Sequence, residues 1–319
     1  MIGRRHLLGG LALAPAIARA QDAFPARPLR AIVPFPPGSA TDGIARFVAE
    51  RMSRDLGQPV VIENVAGGNG TIAARQAARA APDGHTIMFG TNSTHAAVLY
   101  LLREPGYDPV ADFAPVSMTS IAPLVLLVRS DFPATTVAGF VDHARARPGA
   151  LNYGTGNIGS LAAAQLLLSS TGITAERVSY RGTPAAVTDM LAGRIQFMVS
   201  DLAAAGEHIR AGSLRALGVT PARRIPMLPD VPTLQEAGVP GYDFASWVAV
   251  FAPSRTPASA VLRLNRAVRA ALDTEEGARV SQNVGLVAAT SSPEELADFQ
   301  RREVAQWGRI AEAAGLQRE

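Results

Sequence analysis

No cysteine and no lysine occur among the 319 residues of this chain. Without cysteine there is no disulfide, no thiolate nucleophile, no cysteine-ligated zinc and no lipid-bearing N-terminal cysteine. Without lysine there is no Schiff base, no lysine-bound pyridoxal phosphate and no P-loop lysine. Histidine is scarce as well. Beyond residue 20 only His85, His95, His143 and His208 remain, with no HExxH spacing, and no serine stands in a Gly-x-Ser-x-Gly elbow. After residue 20 no apolar run is long and pure enough to span a bilayer. Most of the machinery for covalent chemistry is missing.

The first 20 residues read as an export signal rather than as part of the fold. Arg4-Arg5 give a basic start, residues 7–17 an apolar core too short to stay in a bilayer, and Ala18-Arg19-Ala20 a small-x-small cleavage site before Gln21. The arginine pair followed by His6-Leu7-Leu8 resembles a twin-arginine signal, with the general secretory route also open. Removing residues 1–20 takes away Arg4, Arg5 and Arg19 and no acid. Basic residues fall from 30 to 27, equal to the 27 acids, and the formal charge goes from +3 to 0. A neutral chain without a basic run is not built to hold nucleic acid or a membrane surface. A free periplasmic protein is expected.

What is present alternates between extended and helical patterns. Strands are expected at residues 31–33, 60–63, 86–90, 151–154, 177–180, 196–199, 214–219 and 244–252. Residues 116–128 are expected as two extended pieces broken near Pro123. Helices are expected from about residue 42, and at 70–81, 94–102, 137–147, 160–170, 184–192, 203–211, 258–272 and 293–314, the last capped by Ser292. Short loops between strands and helices imply α/β architecture with mostly parallel sheets. So many units in 319 − 20 = 299 residues imply two domains. The seams fall at 124–128 and 214–219, so that 26–124 plus 220–319 form a discontinuous first domain and 125–219 an inserted second one.

Four loops end a strand and open a helix, the place where ligands bind in open α/β sheets. In the first, Ala31, Ile32 and Val33 halt at Pro34-Phe35-Pro36-Pro37-Gly38, and Ser39, Thr41 and Asp42 stand where the helix starts. Unpaired backbone N–H groups there suit an anion or carboxylate; an ordinary capped βα loop fits the same residues. Thr91-Asn92-Ser93-Thr94, the loop from Gly154 to Ser160, and Tyr180-Arg181-Gly182-Thr183-Pro184 repeat the logic. Gly154, Gly156 and Gly159 share the spacing of a dinucleotide fingerprint, but Glu176 starts the next strand instead of ending it, so a nucleotide is disfavoured. Arg181 suits a ligand carboxylate or an ion pair. Asp201 suits a ligand amine or hydroxyl, or a helix cap. His95 beside Ser93, or Ser160, leaves an exported hydrolase as the competing class.

An ordered set of segments then resembles the Bug family, the substrate-binding proteins of tripartite tricarboxylate transporters. It comprises Val33-Pro34-Phe35-Pro36-Pro37-Gly38 with Asp42, Glu63-Asn64 with Gly67, Gly68 and Gly70, and Ala81-Pro82-Asp83-Gly84. Tyr153-Gly154 with Gly156 and Ser160, Tyr180-Arg181-Gly182 and Leu214-Arg215-Ala216-Leu217 continue it. Leu228-Pro229-Asp230-Val231-Pro232-Thr233, Glu236-Ala237-Gly238, Pro240-Gly241-Tyr242, Trp247, Ala252-Pro253, Ser292-Pro293-Glu294-Glu295 and Trp307 complete it. Ser39 and Asn69 stand where the family usually has glycine, and Ser200-Asp201 where it often has Asp-Asn.

The resemblance implies a two-domain, type II periplasmic-binding fold with the ligand cleft between domains, no catalysis, and no cofactor or metal. It implies a small organic carboxylate gripped by backbone amides and hydroxyls. Carried onto this sequence, one grip is Phe35, Gly38, Ser39, Ala40, Thr41 and Asp42, adjoined by Thr91, Asn92 and Ser93. The facing grip is Thr155, Asn157 and Ser160, with Tyr180, Arg181 and Asp201 nearby. The expected partners of this monomer are the membrane subunits of a tripartite transporter, or a membrane sensor.

Overall fold

A computed structural model describes residues 24–180, 182–313 and 318. Its central ribbon is built from ten strands among those residues. Their bonded order is β2 (Val60–Asn64), β1 (Leu29–Val33), β3 (Thr86–Thr91), β9 (Ala245–Pro253), β4 (Phe113–Arg129), β7 (Phe197–Asp201), β5 (Asn152–Thr155) and β6 (Glu176–Ser179). β8 (Leu214–Val219) and β10 (Val287–Ala288) also pair with β4. The outer ladders are parallel, as the strand–helix alternation demands: β1 with β2 and β3, β5 with β6 and β7. The centre is antiparallel, where β9 meets β3 and β4, and β4 meets β7 and β8. The sheet is therefore mixed, and the expectation of mostly parallel pairing holds only toward its two edges.

β4 corrects the expected break at Pro123. The strand runs unbroken for 17 residues and changes partner there. Pro123 pairs with Ala245 of β9, and the next residue, Leu124, pairs with Asp201 of β7. Proline has no N–H to give a ladder, so it is tolerated where one ladder ends and another begins. The Leu124 amide donates to Thr220 Oγ1 at 3.0 Å, and the Thr220 amide returns a bond to the Leu124 carbonyl at 2.9 Å. Thr220 also accepts the Phe244 amide on its carbonyl at 3.1 Å. One threonine thus joins both places where the chain crosses between the two halves of the sheet.

The helices cover both halves. α1 (Ala40–Leu56) and α8 (Ala258–Leu272) press Ile44, Val48, Met52, Leu264 and Val268 onto the inward side chains of β1 and β9. α2 (Thr71–Ala78), the short α3 (Val98–Leu101) and α10 (Pro293–Ala313) cover the opposite face. In the second half α4 (Val137–Arg145) and α5 (Ile158–Thr171) back one face, and α6 (Thr183–Leu191) and α7 (Leu202–Arg210) the other. The passage 221–242 packs on the second half, with Ile225, Met227 and Val231 against Leu214 and Ala205. α9 (Glu275–Asn283) is a helix the sequence reading did not place. Its run is polar, it contains Gly277, and only Gly277 and Ser281 are buried, so no apolar period marks it.

Candidate functional site

α1 begins where the proline–glycine turn leaves β1. Gly38 takes a left-handed φ of 82°, and Ser39 caps the helix by accepting the Asp42 amide on its Oγ at 3.2 Å. Asp42 is not among the residues that line the cavity between the two halves. Its carboxylate accepts from the Gly38 amide at 2.9 Å, from Arg46 Nε at 2.9 Å and from Asn64 Nδ2 at 2.8 Å. Asn64 also donates to the Phe35 carbonyl at 3.0 Å. Burial pulls the Asp42 carboxyl upward, but Arg46, the Gly38 amide and Asn64 outweigh it and hold it below the ordinary range. Asp42 is thus the post around which residues 35–39 fold. The first amides of α1, on Ala40 and Thr41, have no carbonyl one turn earlier and remain for a bound anion.

The second half builds its wall in the same manner. Asn157 caps α5 in a reciprocal box with Ser160: Asn157 Oδ1 accepts the Ser160 amide at 2.8 Å, and Ser160 Oγ accepts the Asn157 amide at 3.2 Å. Asn157 Nδ2 reaches Thr183 Oγ1 at 3.2 Å and Asp201 Oδ2 at 3.3 Å, tying three strand ends together. The glycines have packing duties here. A Cβ at Gly156 would collide with the backbone of Gly182 and Thr183, one at Gly154 with Ile195, and one at Gly159 with Ser246 Oγ. The fingerprint-like spacing is explained by close approach of protein to protein, and needs no dinucleotide.

Between the two walls lies a cavity of about 280 Å3. Of the residues expected at the site, Phe35, Ala40, Thr41, Thr91, Asn92, Ser93, Asn157 and Asp201 line it together. Gly38, Ser39, Asp42 and Ser160 stand behind that lining and shape it through the bonds given above. Thr155 is buried in the β5–β6 ladder, accepting the Tyr180 amide at 2.9 Å. The Tyr180 hydroxyl turns to Asp189 Oδ2 at 2.9 Å, along α6. Arg181 lies outside the described residues, as does the expected export signal. Asn92 and Thr91 are each 4% exposed, and the Asn92 Nδ2 and Thr91 Oγ1 atoms are buried with no partner.

Several lining residues were not foreseen. Ser246, Trp247 and Val248 enter from the start of β9, Ala122 and Leu124 from the middle of β4, and Leu286 from the turn before β10. Asn69 contributes from a 3-10 turn in which it adopts a left-handed φ of 53°, a conformation asparagine tolerates better than most residues. Trp247 is held from behind. Its indole Nε1 donates to Glu303 Oε2 at 2.8 Å, and burial pushes the Glu303 carboxyl up to about 7, with this hydrogen bond opposing the rise.

The hydrolase alternative is corrected by the same geometry. Ser160 Oγ accepts two backbone amides and donates to the Asn157 carbonyl at 2.8 Å, far from any base role. His95 lies in the core, stacked on Phe251 at 3.9 Å between ring centroids, with its Nδ1 bonded to Thr94 Oγ1 at 2.8 Å rather than to Ser93. Burial pushes its pKa down to about 3. Among the described residues no cluster of metal-ligating side chains occurs and no helix is long and apolar enough to cross a membrane.

A cleft between two α/β halves, walled by capped helix starts and open amide and hydroxyl groups, defines a solute-binding protein of the two-lobed periplasmic class. The chain belongs to the tripartite tricarboxylate transporter family receptors, TctC, whose family model matches residues 44–316. Protein BugT of Bordetella pertussis is 34% identical over 297 residues, covering 92% of this chain and 91% of BugT. An R. palustris protein solved with adipate superposes with a TM-score of 0.82 at 36% identity, over 93% of this chain and 100% of that one. MatC from Rhodopseudomonas palustris with bound malate gives a TM-score of 0.75 at 34% identity, over 90% of this chain and 99% of MatC. The family is one of receptors, not of enzymes, and the resemblance read from the sequence motifs is borne out.

Proposed function

We propose that this chain is an exported periplasmic receptor that captures a small organic carboxylate in its cleft and presents it, as a monomer, to the membrane subunits of a tripartite transporter. The observation that carries the reading is the cavity wall on which the first amides of α1, at Ala40 and Thr41, stand beside Thr91, Asn92 and Ser93. Together they offer an oxyanion several donors in a setting poor in water, with no charged clamp required. The relatives solved with adipate and malate support the choice of a carboxylate. Residues 26–124 plus 220–319 act as one unit and 125–219 as the other, with the passage 221–242 riding on the second. The units close on the ligand by pivoting at the crossing that Thr220 joins. The binding set is Phe35, Ala40, Thr41, Thr91, Asn92, Ser93, Asn157 and Asp201, while Gly38, Ser39, Asp42, Thr155, Ser160 and Tyr180 shape or flank it.

A thermal-shift screen of mono- and dicarboxylates on the mature chain tests the reading. A ligand at 100 times its Kd adds about 2.7 kcal/mol to the native state, which raises the Tm by several degrees. If no acid in a broad panel raises the Tm, the carboxylate assignment is lost.

A further inference from the structure

The cavity has two chemically opposed ends. The first wall carries no charged side chain and presents the α1 amides with the hydroxyl residues Thr91 and Ser93, beside the amide side chains of Asn69 and Asn92. On the second wall stands the carboxylate of Asp201, which lines the same cavity. Its Oδ1 accepts the Ala204 amide at 3.1 Å, and its Oδ2 accepts Asn157 Nδ2 and Thr183 Oγ1, both at 3.3 Å. These three donors are neutral, so they hold the carboxylate in place and leave its charge standing. Two of them bind at long range, which leaves Oδ2 able to take a better donor.

The register fixes how far apart the ends are. Thr91 pairs with Val248, and Val248 with Ser120 of β4; Asp201 pairs with Leu124 of the same strand. The two rows are four residues apart along β4, about 13 Å of strand, and side chains from both walls shorten that gap. The stretch between is mostly apolar, formed by Trp247, Val248, Leu124, Ile158 and Phe35, with Ser246, opposite Ala122 of β4, adding one hydroxyl.

We infer that this receptor selects a monocarboxylate with an apolar body whose far end carries an ammonium group, seated against Asp201. The inference rests on the carboxylate reading above and narrows it. A dicarboxylate entering carboxylate-first at the α1 wall brings its second negative charge toward Asp201 in a partly desolvated cleft, where like charges repel strongly. A terminal ammonium in the same place gains a charge-assisted hydrogen bond instead. Asp201 is a specificity residue in this account; asparagine keeps the α7 cap through its one oxygen and gives up the two long bonds at Oδ2, so the test reads the ratio of affinities between end-states within each protein.

The experiment is calorimetric titration of the mature chain and of its Asp201→Asn variant with linear acids of four to eight carbons in three end-states: ω-amino acids, diacids and plain fatty acids. The amino acids should bind the native chain at least roughly tenfold tighter than the diacids at the best length. In Asp201→Asn the amino acids should weaken by a similar factor and the diacids tighten, with the Tm of the unliganded protein little changed. Diacids that match the amino acids at every length, or a ratio unmoved by Asp201→Asn, would overturn the inference and leave the carboxylate reading intact. If none of the three end-states binds, the carboxylate reading itself falls, and the inference with it.

Discussion

Trp247 and Glu303 meet through a single buried hydrogen bond, indole Nε1 to Oε2 at 2.8 Å, on the side of the tryptophan that faces away from the cavity. The carboxyl is 9% exposed, and burial, aided by the nearby Asp243 and countered by the Trp247 N–H and by Arg302, holds its pKa at about 7. The unfolded chain releases that proton near the ordinary value of 4.5. Between those two values the folded state binds a proton that the unfolded state has lost. The stabilising contribution is therefore complete below pH 4.5 and disappears as the pH rises through 7, a swing on the order of 3 kcal/mol. Glu303→Gln keeps an acceptor for the indole and removes the titration. Its urea-unfolding free energy should fall less than that of the native chain between pH 5 and pH 8, and exceed it at pH 8. Parallel pH profiles for the two proteins would contradict this.

Asp42 should behave with the opposite sign. Its folded pKa lies below the ordinary one, so its contribution is present above that ordinary value and is lost as the pH falls through the lowered one. Asp42→Ala removes the acceptor for Gly38, Arg46 and Asn64 together. A loss of about 1–3 kcal/mol at pH 7 is expected from the stranded donors, measured by chemical denaturation. Ligand affinity should drop as well although Asp42 lines no part of the cavity, because the turn that presents Ala40 and Thr41 loses its post.

Asn92→Ala separates binding from folding. The amide Nδ2 is buried without a partner, so its removal should leave the unliganded Tm unchanged or slightly raised. The affinity for the carboxylate that gives the largest thermal shift should fall by about tenfold, the worth of one good donor to a charged oxygen. A variant that unfolds earlier yet binds normally would show the amide to be structural.

Gly156→Ala tests the wall opposite. The added methyl meets the backbone of Gly182 and Thr183, which cannot retreat as a flexible side chain would. A destabilisation of about 1–3 kcal/mol is expected. Weaker binding should accompany it, since the Asn157–Thr183–Asp201 linkage must shift.

Much of this was legible in the residues because local rules and the fold agree. Capping types at Ser39, Asn157 and Asp201 mark helix starts, and all three serve as caps. The rule that ligands gather at the carboxyl ends of parallel strands finds β1, β3, β5 and β7. It cannot find Trp247 and Ser246, because β9 runs the other way and brings its amino end to the same edge. Nor does sequence spacing tell a cavity-lining aspartate from a scaffolding one. Asp42 and Asp201 both sit at helix starts after strands, and only the partners around them, Arg46 and Asn64 for one and the open cavity for the other, separate their duties. Nor does spacing announce that the Tyr180 hydroxyl turns to Asp189.

The handover of β4 at Pro123 carries a mechanical consequence. Neither of two consecutive residues there donates an amide to the ladder: Pro123 has no amide hydrogen, and Leu124 gives its own to the Thr220 hydroxyl. Thr220 bonds Leu124 through both its amide and its hydroxyl, so one residue holds the ribbon at that level. Under the proposed closure, the strain of shutting the mouth would fall on that single threonine and its bonds to Leu124.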